Sequence, residues 1–278
     1  MVTFSLRDST GAFGPLVLLL IVLVCSCVSC SKEPTGDTPP RNLIIFVWDA
    51  VRADHVGLYG YETETTPNLD QYAKNAVVFD RAYAPAPWTV PSVTSLHTSV
   101  RPPVHGVTRS PNSERFHVLS DRFVTLAEML RDNAYVTGSI TSQPWFSAKL
   151  GLSAGFDHFD VVSDIDAPNE AGEVSDAIIA WLNDHRDERF FLFSMYMGGH
   201  FPYNTPRTHT PVSSKNLENT DLAKRLMALL ERNEISRIQR RAFSRRISDL
   251  SHSDEWNKEG TDYLVARYDE RIKYTDQQ

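Results

Sequence analysis

An α/β fold with a mostly parallel central sheet and helices on both faces is the architecture this chain predicts. Asn42–Trp48 is a short, continuous apolar run of strand length, the mark of a strand covered on both faces, and Tyr135–Ile140 and Phe190–Met197 read as further buried strands. Amphipathic segments with helical spacing, Val124–Asp132 and Glu173–Asp184, alternate with them. Alternation of this kind argues for parallel strands joined by crossover helices.

The first thirty residues read as a leader. Leu16–Val24 is an unbroken apolar run behind Arg7, of a length that suits a signal-peptide core better than a spanning helix. Cys27-Val-Ser-Cys30 has the form of a bacterial lipobox, with small Ser29 before a lipidatable Cys30 and Cys27 as the second candidate. An uncleaved membrane anchor is the alternative, because no charge occurs between Asp8 and Lys32. Both place the body outside the cytoplasm and on a membrane. Ser31–Pro40 then reads as a flexible tether, leaving residues 41–278 as one α/β domain with ample length for a core. All three cysteines fall in the leader, so the body has no disulfide, zinc–thiolate site or cysteine nucleophile. A net charge of −7 gives no footprint for nucleic acid.

Taken in order, Asn42–Trp48 is expected as a buried central strand ending in Asp49. A carboxylate at the carboxyl end of a strand sits where open α/β sheets bind ligands, and it can hold a divalent cation; a turn or capping Asp is the plainer alternative. Thr89 stands where a loop becomes a helix, with Pro91 in the first turn and Leu96 and Val100 as a buried stripe. A hydroxyl there faces free N–H groups and the positive end of the helix dipole, a place for a tetrahedral anion, or else it simply caps the helix. Val124–Asp132 turns Leu126, Met129 and Leu130 inward, with Asn133 as a left-handed stop. Glu173–Asp184 turns Ala177, Ile178, Trp181 and Leu182 inward. Phe190–Met197 ends at Gly198-Gly199-His200, so Asp49, Thr89 and His200 are expected near one edge of the sheet. Residues 205–220 read as a Pro/Thr/Ser-rich loop with a solvent-facing His209. Asp221–Leu250 reads as helical, with Leu222, Leu226, Leu229 and Leu230 at core spacing and its arginines on a solvated face.

Asp49-Ala-Val-Arg52-Ala-Asp54-His55, Thr66-Pro67-Asn68-Leu69-Asp70, Phe79…Ala82-Tyr83 and Thr89-Val-Pro91-Ser92 follow one another in the order and approximate spacing of the sulfatase family. The chain therefore resembles that branch of the alkaline phosphatase-like superfamily. The resemblance continues through Thr125–Glu128, Gly155–Phe159, Phe190–Phe193 and His200–Tyr203, fades after Pro206, and returns at Tyr268–Tyr274. It implies an ester hydrolase in which Asp49 is a metal ligand, Thr89 occupies the nucleophile position beside the metal, and His200 touches the leaving oxygen of the substrate. The implied cofactor is a hard divalent ion, Ca²⁺ or Mg²⁺ ahead of Mn²⁺ or Zn²⁺. The implied substrate is a small-molecule, glycan or lipid ester.

Departures from the family pattern matter as much. Sulfatases proper carry Cys or Ser at the nucleophile position, oxidised to formylglycine; Thr89 resembles the phosphate-handling relatives instead, in which an alkoxide attacks phosphorus. The family's supporting Arg is Val93, its second carboxylate is Ala50, and its Lys- and His-bearing segment reads Ile140-Thr-Ser-Gln-Pro-Trp-Phe146. No later Asp-His-Gly segment occurs, and Asp262, Asp269 and Asp276 do not match it. The chain is thus expected to be the N-terminal part of a catalytic domain. The alternatives are an inactive, anchored binding fragment and a phosphoethanolamine-type transferase.

Overall fold

A computed structural model describes residues 42–108, 117–162, 167–201, 203–206 and 258–278. The leader with Cys27 and Cys30, the tether, His209 and the Asp221–Leu250 segment lie outside the described residues.

Four strands form one parallel sheet: β1 (Leu43–Trp48), β2 (Val136–Thr141), β3 (His158–Val161) and β4 (Phe190–Tyr196), in the order β1-β4-β2-β3. Registers such as Ile45↔Phe193 and Ser139↔Phe193 put β4 in the middle, buried along its whole length. The period of two in a strand then divides its side chains between two cores. Phe191, Phe193 and Met195 face a core with α2 (Thr89–Thr98) and α4 (Leu126–Asp132), built on Val90, Val93, Ala127 and Phe146. Phe190, Leu192 and Tyr196 face the other, against Val174, Ile178 and Trp181 of α5 (Glu170–Asp184) and Tyr274 of α6 (Lys258–Gln277). Two short helices, α1 (Pro67–Ala73) and α3 (Pro102–His105), complete the described elements besides three single 3₁₀ turns. The expected three-layer α/β arrangement is present.

Four expectations need correction. Asn42–Trp48 is an edge strand rather than a central one: among the described residues only β4 pairs with it, and Ile44 and Phe46 are 40% and 52% exposed. An apolar run without alternation cannot say which strand has neighbours on both sides; that place belongs to β4. On α2 the buried residues include Val90, Val93, Thr94 and His97, and Leu96 points outward at 44% exposure, with Val100 beyond the helix end. The helix is turned so that Thr and His enter the core, a composition that apolar counting overlooks. On α4, Ala127 is the buried residue and Met129 is exposed. The left-handed residue that ends α4 is Ala134 (φ 60°), one place after Asn133, which itself has φ −102°. The start of α4 follows its sequence closely: Thr125 Oγ1 accepts from Glu128 N and Glu128 Oε2 accepts from Thr125 N, a reciprocal capping box.

Helix α6 is fastened by its acidic residues. Both Asp276 oxygens accept the first free amides of α1, from Asn68 N (2.8 Å) and Leu69 N (2.9 Å). Buried Arg271 pairs with buried Glu170 at 2.6 Å, and Glu170 also accepts from Met197 N just past β4. The described residues fall in one compact unit, Asn42–Gln278, and no described helix is long and apolar enough to cross a membrane.

Candidate active site

The site is built where β1, β4 and β2 end. Asp49 extends the ladder one step past β1, its N–H donating to Tyr196 O at 2.8 Å, and its carbonyl accepts from Gly199 N at 3.0 Å. Directly after it Ala50 has φ 59°, a left-handed conformation that strains a residue with a Cβ. Gly199 permits the close crossing: a Cβ there would lie 2.5 Å from Ala50 O. The main chain on either side of the Asp49 carboxylate is thus pinned against the end of β4.

Thr89 Oγ1 donates to Asp49 Oδ2 at 3.0 Å. Its capping role does not hold: Trp88 is the N-cap of α2, extended and without a side-chain cap bond, and Thr89 is the first helical residue. Its hydroxyl is spent on the carboxylate. Pro91 sits in the first turn, where no N–H is needed.

A third residue joins them. Gln143 Nε2 donates to the same Asp49 Oδ2 at 2.7 Å, while Gln143 Oε1 accepts from Trp145 N at 3.1 Å. The two partners fix which way the amide points. Gln143 is buried just after β2, and its own N–H donates to Thr141 Oγ1. In the sequence this segment registered only as lacking a Lys and a His. The available signal was the run Thr141-Ser142-Gln143, polar yet directly following a buried strand.

His200 lies on the same edge, one residue after Gly199. Its Nδ1 is 2.7 Å from Phe201 O, a bond to backbone and not to Asp49 or Thr89. The neutral ring therefore carries its proton on Nδ1 and leaves Nε2 as the available atom. The geometry unites Asp49 with Thr89 and leaves His200 beside them.

The donor set bears on a metal. Asp49 supplies one carboxylate and Thr89 one hydroxyl, and among the described residues no group of three or more His, Cys, Asp and Glu could hold a metal ion. Asp269 is taken by His55 Nδ1 (2.6 Å) and Tyr61 Oη (2.7 Å), and Asp276 by α1. Burial, followed by the Asp269 bond, pushes the Tyr61 hydroxyl up to about 12. A hard divalent cation takes six or more oxygens. The described residues do not by themselves fit one.

A carboxylate at a strand end is thus bound to a hydroxyl on the first turn of a helix, over the carboxyl edge of a parallel sheet where open α/β folds bind their ligands. Residues 41–278 match the Sulfatase family, and the chain belongs to it. Arylsulfatase A from Bos taurus is 38% identical over 104 residues, covering 36% of this chain and 20% of the relative. The C-terminal periplasmic domain of Escherichia coli EptC, solved as a zinc complex, shares the fold with a TM-score of 0.57 at 19% identity, over 86% of this chain and 57% of that one. Phosphonate monoester hydrolase of Agrobacterium radiobacter does so with a TM-score of 0.56 at 18% identity, over 85% and 57%. The chain spans about a fifth of the length of the curated relatives it matches. A solved protein in complex with its substrate D-glucosamine-2-N,6-O-disulfate also shares the fold, with a TM-score of 0.57 at 17% identity over 85% of this chain and 60% of that one.

Proposed function

We propose that this chain carries the nucleophile-bearing part of a sulfatase-family ester-hydrolase site, with Thr89 as nucleophile, Asp49 as its carboxylate partner, and phosphate or phosphonate esters preferred over sulfate esters. The observation that carries the reading is the 3.0 Å bond from Thr89 Oγ1 to Asp49 Oδ2 at the first turn of α2. A hydroxyl donating to a carboxylate has its lone pairs free on the side away from it, and the first-turn amides of α2 supply a positive end for anionic oxygens. Thr89 Oγ1 attacks phosphorus as its proton passes to Asp49 Oδ2. The bond from phosphorus to the leaving oxygen breaks, and water then releases the phosphoryl group from Thr89. His200 is the candidate contact for the leaving oxygen in its doubly protonated form, giving the Nε2 proton to that oxygen while Nδ1–H stays on Phe201 O. Threonine has no route to formylglycine in this scheme, which moves the preference from sulfur to phosphorus.

Asp49 and Thr89 are also the two groups this chain would offer a divalent cation, with Ca²⁺ or Mg²⁺ ahead of Mn²⁺ or Zn²⁺ for oxygen donors. The leader through Cys30 supports an extracytoplasmic, membrane-held body acting on a small-molecule, glycan or lipid ester. A phosphoethanolamine-type transferase is the same chemistry with an alcohol in place of water.

An inactive, anchored binding domain is the second reading, favoured by the described residues holding no group of three or more His, Cys, Asp and Glu that could bind a metal ion. Turnover of an aryl phosphate, an aryl phosphonate and an aryl sulfate, each with Ca²⁺, Mg²⁺, Mn²⁺ or Zn²⁺, separates the two. The proposal expects phosphorus esters to be turned over fastest, with a loss of about 10³-fold or more in Thr89→Ala. Equal turnover by Thr89→Ala removes Thr89 from the mechanism, and no turnover under any condition favours the binding domain.

A further inference from the structure

One hydroxyl of α6 spans the turn that follows Asp49. Tyr268 Oη donates to Ala50 O at 2.8 Å and accepts from Arg52 N at 2.8 Å. It thereby closes a bracket around Ala50–Arg52, the segment containing the strained Ala50. Left-handed backbone at alanine is unfavourable and relaxes unless its surroundings hold it. On one side Gly199 N holds the Asp49 carbonyl. On the other, the local bonds hold only Arg52, through its guanidinium to Asp54 and its carbonyl to His55 N, and Tyr268 reaches the turn from 216 residues away.

The tyrosine is itself held. The His55 ring meets it edge-on at 5.0 Å, and Tyr203 meets it at 5.3 Å. The next residue, Asp269, binds His55 Nδ1 and Tyr61 Oη at 2.6 and 2.7 Å. Burial raises the Tyr268 hydroxyl above its ordinary range, so it keeps the proton it donates to Ala50 O.

We infer that Tyr268 is a positioning residue for the proposed reaction: through the Ala50–Arg52 turn it fixes where the Asp49 carboxylate meets Thr89. It touches neither Thr89 nor Asp49 in the described bonds and acts only through the main chain. The inference rests on the proposed role of Asp49, but its geometric content does not.

The test is Tyr268→Phe in the full chain, which keeps the ring and removes only the hydroxyl, with Tyr274→Phe on the same helix as the control. On an aryl phosphate the expected loss is about 10- to 100-fold in kcat with KM within about twofold, because a small displacement of a reacting group costs rate rather than binding. Tyr274→Phe keeps the wild-type kcat. Amide hydrogen exchange supplies the readout that needs no activity. Arg52 N loses its acceptor directly, and Gly199 N, bonded to Asp49 O, loses protection only if Asp49 itself moves. Wild-type kcat in Tyr268→Phe, or unchanged Gly199 protection, overturns the inference. If the wild-type chain turns over no ester, the functional reading falls by itself, and the Gly199 amide alone decides the positioning role: faster exchange supports it, unchanged exchange overturns it.

Discussion

Acid should weaken this fold through His97, near the end of α2. Its ring is 2% exposed, stacked on Phe146 at 5.0 Å and met edge-on by Phe193 at 4.5 Å and Phe156 at 5.7 Å, with no partner for either nitrogen. Burial pushes its pKa down from 6.5 to about 3, so in the folded chain it stays neutral where the unfolded chain takes up a proton. Stability is therefore complete above 6.5, falls as pH drops through 6.5, and levels off below about 3. One pH unit across that window is worth about 1.4 kcal/mol, and because ionisation of the unfolded chain sets in only near 6.5 the loss between pH 7 and pH 4.5 is about 2.5 kcal/mol. His97→Leu, of similar volume, removes this loss. It also removes an N–H buried without an acceptor, worth a further ~1–3 kcal/mol at neutral pH. Urea unfolding of both proteins at pH 7 and pH 4.5 measures it. The carboxylates titrate alike in the two chains and cancel in the double difference. An identical acid loss in wild type and His97→Leu would refute the reasoning.

Other perturbations have defined outcomes. Arg271→Met leaves Glu170 buried at 0% exposure without its 2.6 Å partner and should cost about 3–5 kcal/mol in urea unfolding. Thr125→Ala removes the capping box of α4 and a bond to Ala154 O, for a loss of about 1–2 kcal/mol by the same method. Gly199→Ala forces a methyl into Ala50 O; its activity on an aryl phosphate should drop at least as far as that of Tyr268→Phe, since both displace the Asp49 turn. Gln143→Glu places a second carboxylate beside Asp49 Oδ2. Its melting temperature should lie below wild type without metal and rise with added Ca²⁺ more than that of wild type, as thermal denaturation would show.

The sequence makes the layers legible because burial writes itself in composition. Phe190–Tyr196 is apolar at every position but Ser194 since both its faces are covered, and Ile178 and Trp181 enter the core at the spacing α5 predicts. What composition leaves out is neighbourhood. Asn42–Trp48 is as apolar as β4, yet among the described residues it pairs on one side only, because strand order comes from crossovers and not from the strand's own residues. The rotation of α2 was hidden for a related reason. Thr94 and His97 enter the core, where Thr94 satisfies its hydroxyl on Val90 O, a bond that polarity scales do not count. In the site, Asp49 and Thr89 were visible as chemistry at element ends. Gln143 and Tyr268 were not, since their parts rest on contacts across 94 and 218 residues of chain with nothing local to mark them.

Those long-range contacts decide how the carboxylate is presented. Thr89 O–H and Gln143 N–H converge on one oxygen, Oδ2, from α2 and from the end of β2, while the backbone of Asp49 is tied to β4. Two donors on a single oxygen remove the freedom of the carboxylate to rotate about its terminal bond, and they direct its second oxygen away from the protein bonds described here. Gln143 acts from a fully buried position with its amide locked by Trp145 N, so it costs the site little reorganisation when charge shifts on Asp49. A carboxylate held this way keeps the Thr89 hydroxyl in one orientation before any substrate arrives. In the proposed reaction that ordering is what Gln143 and the tied backbone of Asp49 would add to the proton acceptance by Asp49 itself.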